Sequence, residues 1–351
     1  MSVLATLDSE RRALIFTELA LRLSLPPFIV EKDFWVCWLL ARIFESPDLG
    51  TACVFKGGTS LSKVFGVLKR FSEDVDLSIS PACLGWEEVE LEDAPSTSMR
   101  QKRMKAMETD CARAVRERFG PELETTVDRL LGAPPDGGQW LTYASDPASH
   151  SPTLRFAYPP AVSAGSYIAP IVKMEFGSLT DQRPTGRHTV TAMLEQVAPG
   201  LFRDTRTRVV ALELERSFWE KATILHAEHH RPADRAIPAR MARHYADFAA
   251  LWCHPSGRAA AQRLDLLERV RRHKSRFFSS AWANYENAVP GTLRLLPTEQ
   301  RLPELRQDYR MMEPMFLVLP PDFDALLQVI SDAEATLNAT GQDASMVDSR
   351  L

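Results

Sequence analysis

The chain has 351 residues, of which 45% are hydrophobic and 25% are charged, and these fractions are ordinary for a globular protein. They exclude a mainly disordered chain, while 16 glycines, 24 prolines and 5 cysteines exclude the collagen-like and disulfide-scaffold classes. The 42 basic and 46 acidic residues give a formal net charge of −4, which disfavours a globally basic nucleic-acid binder.

The length predicts about two domains. We also expect the chain to be cytoplasmic and without a membrane partner. The cysteines are scattered with no CxxC spacing, which is typical of free thiols in a reducing compartment. The N-terminus, MSVLATLDSERR, lacks the basic-then-apolar order of a signal peptide. No apolar run approaches the roughly 20 residues that a membrane-spanning helix needs.

The first part of the chain alternates between predicted helices and short strands. Residues Ser9–Leu23 have a helical pattern, and the next segment, FIVEKDFWVCWLLARIF, is apolar on most sides and predicts a buried helix. Residues Ala52–Phe55 form a short apolar run that is typical of a buried strand. After Gly57-Gly58 a short helix capped by a hydroxyl residue is expected, and Phe71–Ser80 alternates like a half-buried strand.

The rest of the chain divides near residue 205. A helical region is predicted over 99–131, a loop over 132–151, strands over Thr153–Tyr158 and Tyr167–Phe176, and helices from about Leu212 onwards. We therefore predict a mixed α/β domain over residues 1–205 and an α-helical lobe over residues 206–351.

Two aspartates are the first candidates for chemistry. Asp74 and Asp76 lie two positions apart on a predicted strand, so their side chains point to the same side. Neighbouring carboxylates repel each other, and a cation relieves that repulsion. Because oxygen ligands suit a hard divalent ion, the pair favours a Mg²⁺ site over a solvated strand face. Glu175, on a later predicted strand, is either a third carboxylate of that site or an exposed glutamate.

The Gly57-Gly58 turn supplies the complementary half of such a site. Glycines let a backbone approach a ligand closely, and the N-terminus of the helix that follows suits a phosphate. Lys63, in the first turns of that helix, can reach the same anion. The order of strand, Gly-Gly, helix, strand and DxD within one short unit favours a phosphate-plus-metal site over ordinary packing.

A lysine interrupts the apolar stripe of a helix predicted in the C-terminal half. Lys221 lies within roughly 40° of Leu214 on a helical wheel. Lysine is seldom buried without a partner, so Lys221 either extends to solvent at the rim or reaches an anion such as a nucleotide phosphate. In the next helix, Asp247 either pairs with Arg243 four positions earlier or belongs to a polar wall facing the same site.

Two basic stretches and a histidine group carry weaker signals. Arg100–Lys105 and Arg269–Arg276 are permissive for RNA binding, although a solvated helix face is the simpler interpretation of each. The histidines at 226, 229 and 230 have no suitably spaced Cys or Asp, so we do not predict a zinc site there.

Four segments, taken in order, resemble the motifs of the AbiEii/AbiGii nucleotidyltransferase toxins of type IV toxin–antitoxin and abortive-infection systems. They are FKGGTSLSK, RFSEDVDLS, ERSFWEKATILHAEHHR and RHYADFAAL. The segment LPPFIVEKDFWVCWLL is also similar to that family, so the likeness runs from about Leu25 to Leu251.

The resemblance implies an α+β fold, with a polymerase-beta-like nucleotidyltransferase core built on a mixed sheet and a helical lobe that contributes Lys221 and Asp247 to the cleft. It places Asp74 and Asp76 at the metal carboxylates, with Glu175 kept as a candidate third ligand. Lys221 and Asp247 fall at the catalytic lysine and aspartate of the third and fourth motifs. The implied nucleotide-binding residues are Gly57, Gly58, Thr59, Ser60, Lys63 and Arg243.

The same resemblance implies transfer of a nucleotide from an NTP to the 3′ end of a tRNA acceptor stem, with Mg²⁺ or Mn²⁺ as cofactor, so that translation is blocked. It also implies a cognate antitoxin of the winged-helix, AbiEi-like type. Two alternatives stay open. The same fold can modify a small molecule or a protein, or transfer a phosphoryl group, and a degenerate core can serve as a non-catalytic nucleotide-binding module.

Overall fold

A computed structural model describes residues 1–87, 94–135, 137–146, 150–163, 169–278 and 280–348, with side chains described up to residue 340. The start of the strand predicted over Tyr167–Phe176 lies outside these residues. The chain divides into two compact units. The first unit comprises Met1–Val64 and Ser72–Leu212, and the second comprises Phe65–Phe71 and Glu213–Leu351.

Among the described residues, seven strands of the first unit form one mixed sheet. The strands are β1 (Cys53–Lys56), β2 (Val75–Ile79), β3 (Leu141–Ser145), β4 (Pro152–Ala157), β5 (Ile171–Gly177), β6 (Thr185–Thr191) and β7 (Arg206–Leu212). They lie in the order β3-β4-β5-β2-β1-β7-β6. β2 is parallel to β5 and β1 is parallel to β7, whereas the other neighbours are antiparallel. Strand β2, which carries Asp76, is therefore the central strand.

Helices surround this sheet in the first unit. They are α1 (Ser2–Ala5), α2 (Ser9–Leu23), α3 (Pro27–Glu45), α4 (Pro47–Ala52), α5 (Gly57–Lys63), α6 (Thr97–Ala114), α7 (Gly120–Leu131) and α8 (Leu194–Val197). Helix α2 begins where it does because the carboxylate of Asp8 accepts a hydrogen bond from the backbone N–H of Arg11 at 2.8 Å. It ends at Ser24, which has a left-handed backbone with φ 54°.

Helix α3 is the buried helix that the sequence predicts. All of its residues from Ile29 to Ile43 are buried, because the helix packs against α2, α7 and the sheet. Trp35 stacks on Tyr158 of the segment after β4 with ring centroids 5.6 Å apart. Among the described residues, no single helix is long and apolar enough to cross a membrane, although α2 and α3, bent by 108° at their junction, pass that test as a pair.

The mixed sheet with its helices confirms the predicted α+β class, and four of the predicted strands are present as β1, β2, β4 and β5. Three further strands were not predicted. The loop predicted over 132–151 is wrong where β3 lies, and β6 and β7 occupy the connection after β5. Strands β3 and β6 form the two edges of the sheet, and β6 buries one residue, Val190. The apolar alternation that marks a strand is therefore weak at these edges.

The second unit is helical in its C-terminal part, as predicted. Its helices are α9 (Leu214–His229), α10 (Ala242–Cys253), α11 (Pro255–Ala260), α12 (Leu264–Phe277), α13 (Leu302–Met311) and α14 (Phe323–Asp348). Phe218 of α9 packs on Phe248 of α10 with centroids 5.3 Å apart. The indole N–H of Trp219 donates to the carbonyl of Ala260 at 3.1 Å, so α9 is covered on two sides.

The segment Phe65–Phe71 belongs to the second unit, although it precedes β2 in the chain. The backbone N–H of Phe71 donates to the carbonyl of Met315 at 2.6 Å, and that of Leu317 donates to the carbonyl of Lys69 at 3.0 Å. These paired backbones hold Arg70 within the second unit, four residues before Asp74.

Candidate active site

The glycine turn and the central strand meet at one point of the first unit. Gly57, the first residue of α5, has φ +79°, and a Cβ atom added there would lie 1.9 Å from Oδ2 of Asp76. Such a distance is less than any real contact between heavy atoms, so only glycine leaves room for the carboxylate. The strand register explains the meeting, because Lys56 at the end of β1 is paired with Asp76 in β2.

A hydroxyl joins the same helix to the residue before β2. Thr59 is fully buried, its hydroxyl donates to the backbone carbonyl of Asp74, and the hydroxyl oxygens of Thr59 and Ser72 lie 2.8 Å apart. The neighbouring Ser60 hydroxyl is buried and has no hydrogen-bond partner among the described residues. Helix α5 is thus fixed against both aspartates, through Gly57 on Asp76 and through Thr59 on Asp74.

Asp74 is largely buried and lies close to other carboxylates. Burial raises the pKa of this carboxyl to about 6, and the charges of Asp76 and Glu73 raise it further. Both effects oppose ionisation, because burial disfavours a charge and like charges repel. A cation bound between the carboxylates would relieve both, so the field at Asp74 suits a positively charged ligand.

Glu175 lies on the neighbouring parallel strand, and the register pairs it with Asp76. Paired residues of adjacent strands point to the same face of the sheet, so the two carboxylates share a face. The ammonium of Lys173 donates to Glu175 Oε1 and to Asp146 Oδ2, both at 2.5 Å. Burial lowers the pKa of Lys173, but these two carboxylates outweigh it and raise the pKa above its usual value. Glu175 is therefore already neutralised by a lysine.

The donor set fits a hard divalent ion held mainly by two carboxylates. Within the part of the chain that the structure describes, no three His, Cys, Asp or Glu side chains are grouped to hold a metal. Mg²⁺ is usually held by one or two carboxylates, and water and substrate phosphates complete its shell. Asp74 and Asp76, of which Asp76 packs against Gly57, meet that requirement.

Replacing Gly57 by alanine should abolish any activity that depends on Asp76, because the new Cβ displaces the carboxylate. Gly66 offers a matched control, since it also has positive φ (+66°) but a Cβ there meets no atom within 4 Å. Both substitutions carry the same backbone strain of about 1–2 kcal/mol, while only Gly57→Ala clashes. The measurements are the initial rate and the melting temperature of both variants. Equal rates in the two variants would contradict the assignment.

Lys63, predicted to bind phosphate, is engaged inside the first unit. Its side chain is 9% exposed and forms an ion pair with Asp33 of α3. Burial lowers the pKa of Lys63 to about 7, while the contact with Asp33 favours the charged form. The contact holds the C-terminal end of α5 to α3.

The second unit contains its own buried charge cluster, centred on Asp247 of α10. Arg70 donates from Nε to Asp247 Oδ1 at 2.7 Å and from its terminal nitrogen to Oδ2 at 2.9 Å. Lys221 of α9 donates to the same Oδ2 at 2.8 Å. Burial alone would raise the pKa of Asp247, but the two cations hold it well below its usual value. Of the two interpretations that the sequence leaves open for Asp247, the pair with Arg243 is replaced by these two partners, and the side chain of Asp247 is completely buried.

The tautomer of His244 follows from its contact with Lys221. Burial and the charge of Lys221 hold the pKa of His244 well below 6.5, so the ring is neutral at physiological pH. Its Nδ1 lies 3.0 Å from the Lys221 ammonium, which has hydrogen atoms to donate and no lone pair. Nδ1 is therefore the acceptor, and Nε2 carries the proton. Burial also lowers the pKa of Lys221, whose side chain is 11% exposed.

The predicted site residues thus form two groups, one in each unit. The first unit holds Gly57, Gly58, Thr59, Ser60, Lys63, Asp74, Asp76 and Glu175, and the second holds Lys221, Arg243 and Asp247. Sequence reasoning missed Arg70, although it stands within the quoted segment RFSEDVDLS. It also missed the charges within α3. Three consecutive charged residues in a helix that is mostly apolar require buried partners, and that pattern was available in the sequence.

The three histidines at the end of α9 make hydrogen bonds to the backbone. Nδ1 of His226 accepts from the N–H of Arg294 at 3.1 Å, and Nε2 lies 2.9 Å from the carbonyl of Asn284. Nδ1 of His229 lies 2.7 Å from the carbonyl of Leu296. Burial lowers the pKa of His226 to about 4, so its ring is neutral and holds two loops to the helix.

Acid should destabilise the second unit through His226. The unfolded chain takes up a proton near pH 6.5 and the folded chain near pH 4. The contribution of His226 to the free energy of unfolding should therefore be fully present above pH 6.5. It should be lost as the pH decreases towards 4, by about 3 kcal/mol at most. Urea unfolding at several pH values measures this slope. His226→Gln should flatten it and exposed His150→Gln should not; equal slopes in both variants would exclude His226 as the cause.

Arg70 and Asp247 also line a cavity of about 250 Å³ within the second unit. Its other walls are mainly apolar and include Leu68, Tyr309 and Leu326. An apolar cavity does not suit a triphosphate, which needs donors and cations. The cavity is therefore not the candidate site.

Comparison with known proteins identifies a family. A family model described as nucleotidyl transferase AbiEii toxin, type IV TA system, matches residues 38–329. No curated protein matches the chain. The matched segment includes the glycine turn, Asp76 of the central strand, Asp74 just before that strand, and the cluster around Asp247.

Proposed function

The chain belongs to the family of AbiEii nucleotidyl transferase toxins of type IV toxin–antitoxin systems, and from this premise we propose that it transfers a nucleoside monophosphate from an NTP to an acceptor hydroxyl in a metal-dependent reaction. The sheet and α5 would form a core of the polymerase-beta type. The observation that carries the proposal is the contact of Gly57 with Asp76. It places a glycine turn, suited to phosphate, beside a carboxylate suited to a divalent ion.

Asp74 and Asp76 would hold Mg²⁺ or Mn²⁺, with Glu175 as a candidate third ligand. When bound, the ion neutralises phosphate charge and lowers the pKa of the acceptor hydroxyl. The backbone N–H groups at Gly57-Gly58 would bind the phosphates. The acceptor oxygen bonds to the α-phosphorus while the bond between the α- and β-phosphates breaks, so that pyrophosphate leaves and the hydroxyl proton passes to solvent.

Lys221 is the proposed phosphate-neutralising cation of the second unit. Its charge is fixed in place by Asp247 and His244, so it needs little reorganisation as charge develops on the phosphates. Asp247 has no exposed side-chain surface, so its proposed part is to orient Lys221 and Arg70. Arg243 remains a proposed nucleotide-binding residue, and its charge lowers the pKa of Lys221.

The proposed acceptor is the 3′ end of tRNA, since addition there blocks translation. Lys102 and Lys105 on α6 are exposed and suit contacts with an RNA backbone. In the other basic stretch, Arg269–Arg276, two side chains already have partners within the chain. Lys274 donates to the carbonyl of Glu220 at 3.0 Å, and Arg271 pairs with Glu268 at 2.6 Å. Membership of a toxin–antitoxin family implies an antitoxin partner, for which we propose a winged-helix, AbiEi-like protein.

The reaction can be tested by incubating the purified chain with Mg²⁺, total tRNA and each NTP in turn, labelled at the α- or the γ-phosphate. We expect the α-label of one NTP to enter tRNA, and the γ-label to leave with pyrophosphate and enter no acceptor. Periodate-oxidised tRNA, which lacks a free 3′ diol, is the control and should stay unlabelled.

Other outcomes of this experiment would replace the proposal. Transfer of the γ-label would identify phosphoryl transfer, and α-label in proteins or metabolites added to the mixture would identify a different acceptor. Binding of an NTP without transfer of either label to any fraction would identify a non-catalytic nucleotide-binding module.

A further inference from the structure

Helix α3 carries three consecutive charged residues in its buried part. Glu31, Lys32 and Asp33 are 1%, 2% and 1% exposed, in a helix whose other buried residues are mostly apolar. A buried charge without a partner costs several kcal/mol, so each of these residues needs a compensating contact. The partners of Lys32 and Asp33 lie on the segments that carry the candidate chemistry.

Lys32 holds the residue before the first aspartate. Its ammonium forms an ion pair with Glu73, which precedes Asp74, and donates to the carbonyl of Ala169 at 3.0 Å. Ala169 lies two residues before β5, the strand that carries Glu175. One buried ammonium therefore contacts both the loop that leads to Asp74 and the segment that leads to Glu175.

Asp33 holds the helix after the glycine turn. One carboxylate oxygen pairs with Lys63, the last residue of α5, and the other accepts from the backbone N–H of Met193 at 2.7 Å. Helix α5 is only seven residues long, so an anchor at Lys63 also restrains Gly57 at its start. Glu31 differs, because it accepts from the N–H groups of Ala161 and Val162, which lie outside these segments.

We propose that Lys32 and Asp33 are positioning residues for the reaction proposed above, on which this inference rests. Consecutive residues of a helix project about 100° apart, so one rigid helix holds two separate segments. Lys32 fixes the loop before Asp74, and Asp33 fixes α5 against Asp76. Neither residue touches a reacting atom in this scheme. Their effect is to keep the two carboxylates and the glycine backbone in one arrangement, which binding of a metal requires.

Lys32→Met tests the proposal through metal affinity, measured without nucleotide by calorimetric titration with Mn²⁺. We expect Mn²⁺ affinity to fall roughly ten- to a hundredfold, as for other groups that orient metal ligands. The rate constant kcat should fall with it, while the KM for NTP changes less. Lys32→Arg, which keeps a donor cation, should recover much of the Mn²⁺ affinity.

Two further variants separate positioning from general stability. Lys32→Met combined with Glu73→Gln removes both charges, so the protein should fold even if Lys32→Met alone does not, and its Mn²⁺ affinity should still be low. Arg42 is the matched control, since it is a buried cation at the far end of the same helix, paired with Glu45 at 2.9 Å. Arg42→Met should lower the melting temperature and leave Mn²⁺ affinity and kcat unchanged.

The outcomes distinguish this inference from the proposed function. If the wild-type chain neither binds Mn²⁺ nor transfers label, the proposed function fails. If the wild type does both, and the double variant binds Mn²⁺ as tightly as the wild type with an unchanged kcat, the positioning role alone is wrong. Equal losses of Mn²⁺ affinity in Arg42→Met and Lys32→Met would likewise overturn it, because any destabilisation of α3 would then suffice.

Discussion

Replacing Asp76 by asparagine is expected to lower the rate of nucleotide transfer by about a hundred- to a thousandfold or more. The reason is that a bound divalent ion contributes several kcal/mol of charge stabilisation in the transition state, and each 1.36 kcal/mol corresponds to a factor of ten. Asparagine has nearly the same shape as aspartate, so it fits in the same place against Gly57. The measurement is the initial rate of α-label transfer at saturating NTP.

Folding should survive this substitution. The carboxylates of Asp76 and Glu73 both raise the pKa of Asp74, which means that each of them repels Asp74. Removing one charge relieves that repulsion, so the melting temperature of Asp76→Asn should equal or exceed that of the wild type. Asp128→Asn, at an exposed position of α7, is the control and should change neither quantity. A wild-type rate in Asp76→Asn would remove Asp76 from the site.

Among the single substitutions proposed here, replacing Asp247 by alanine should cause the largest loss of stability, about 3–5 kcal/mol of unfolding free energy. Its carboxylate is fully buried and is the shared partner of Arg70 and Lys221. Without it, Arg70 and Lys221 have no carboxylate between them, and Arg70 loses two charge-assisted hydrogen bonds while Lys221 loses one. Urea unfolding of the wild type and the variant at neutral pH measures the difference.

A double variant shows whether the loss comes from the uncompensated cations. Lys221→Met added to Asp247→Ala removes one of those cations, so the pair should be less destabilised than the sum of the single changes. Asp265→Ala is a matched control, because it breaks a pair with Arg263 of similar length, 2.7 Å, that lies on the surface. Exposed pairs contribute little, so the control should unfold close to the wild type. Strict additivity in the double variant would show that the cluster is not coupled.

The cluster also predicts how acid acts on the second unit. Because the folded pKa of Asp247 lies well below its usual value, the carboxylate contributes stability above the unfolded pKa near 3.8. That contribution decreases as the pH falls below this value. His226 acts at higher pH, between 6.5 and about 4. The two effects occupy different pH ranges, so variants of each residue can be studied separately.

Local patterns in the sequence were sufficient for the elements that bury one face. Helix α2 has the bounds that the pattern predicts, Ser9–Leu23. Strand β2 lies within the predicted strand, although Ser78, expected on its polar face, is buried as well. The edge strands lack this pattern, because pairing on one side stabilises them without burial of alternate side chains. Strand β7 was missed for another reason. Its sequence, RTRVVAL, starts with polar residues, and its place beside β1 depends on residues more than 150 positions earlier in the chain.

The sequence by itself determined the α+β class, the family and the unit of a glycine turn followed by a DxD strand, since each follows from local periodicity or from short motifs. Only the tertiary structure decided which charges are compensated. Arg70 meets Asp247 across 177 positions and Lys32 meets Glu73 across 41, and no periodicity connects residues so far apart. A buried charge in a sequence shows that a partner is required, because an unpaired charge is too costly to bury. Which residue meets that requirement depends on how the chain packs.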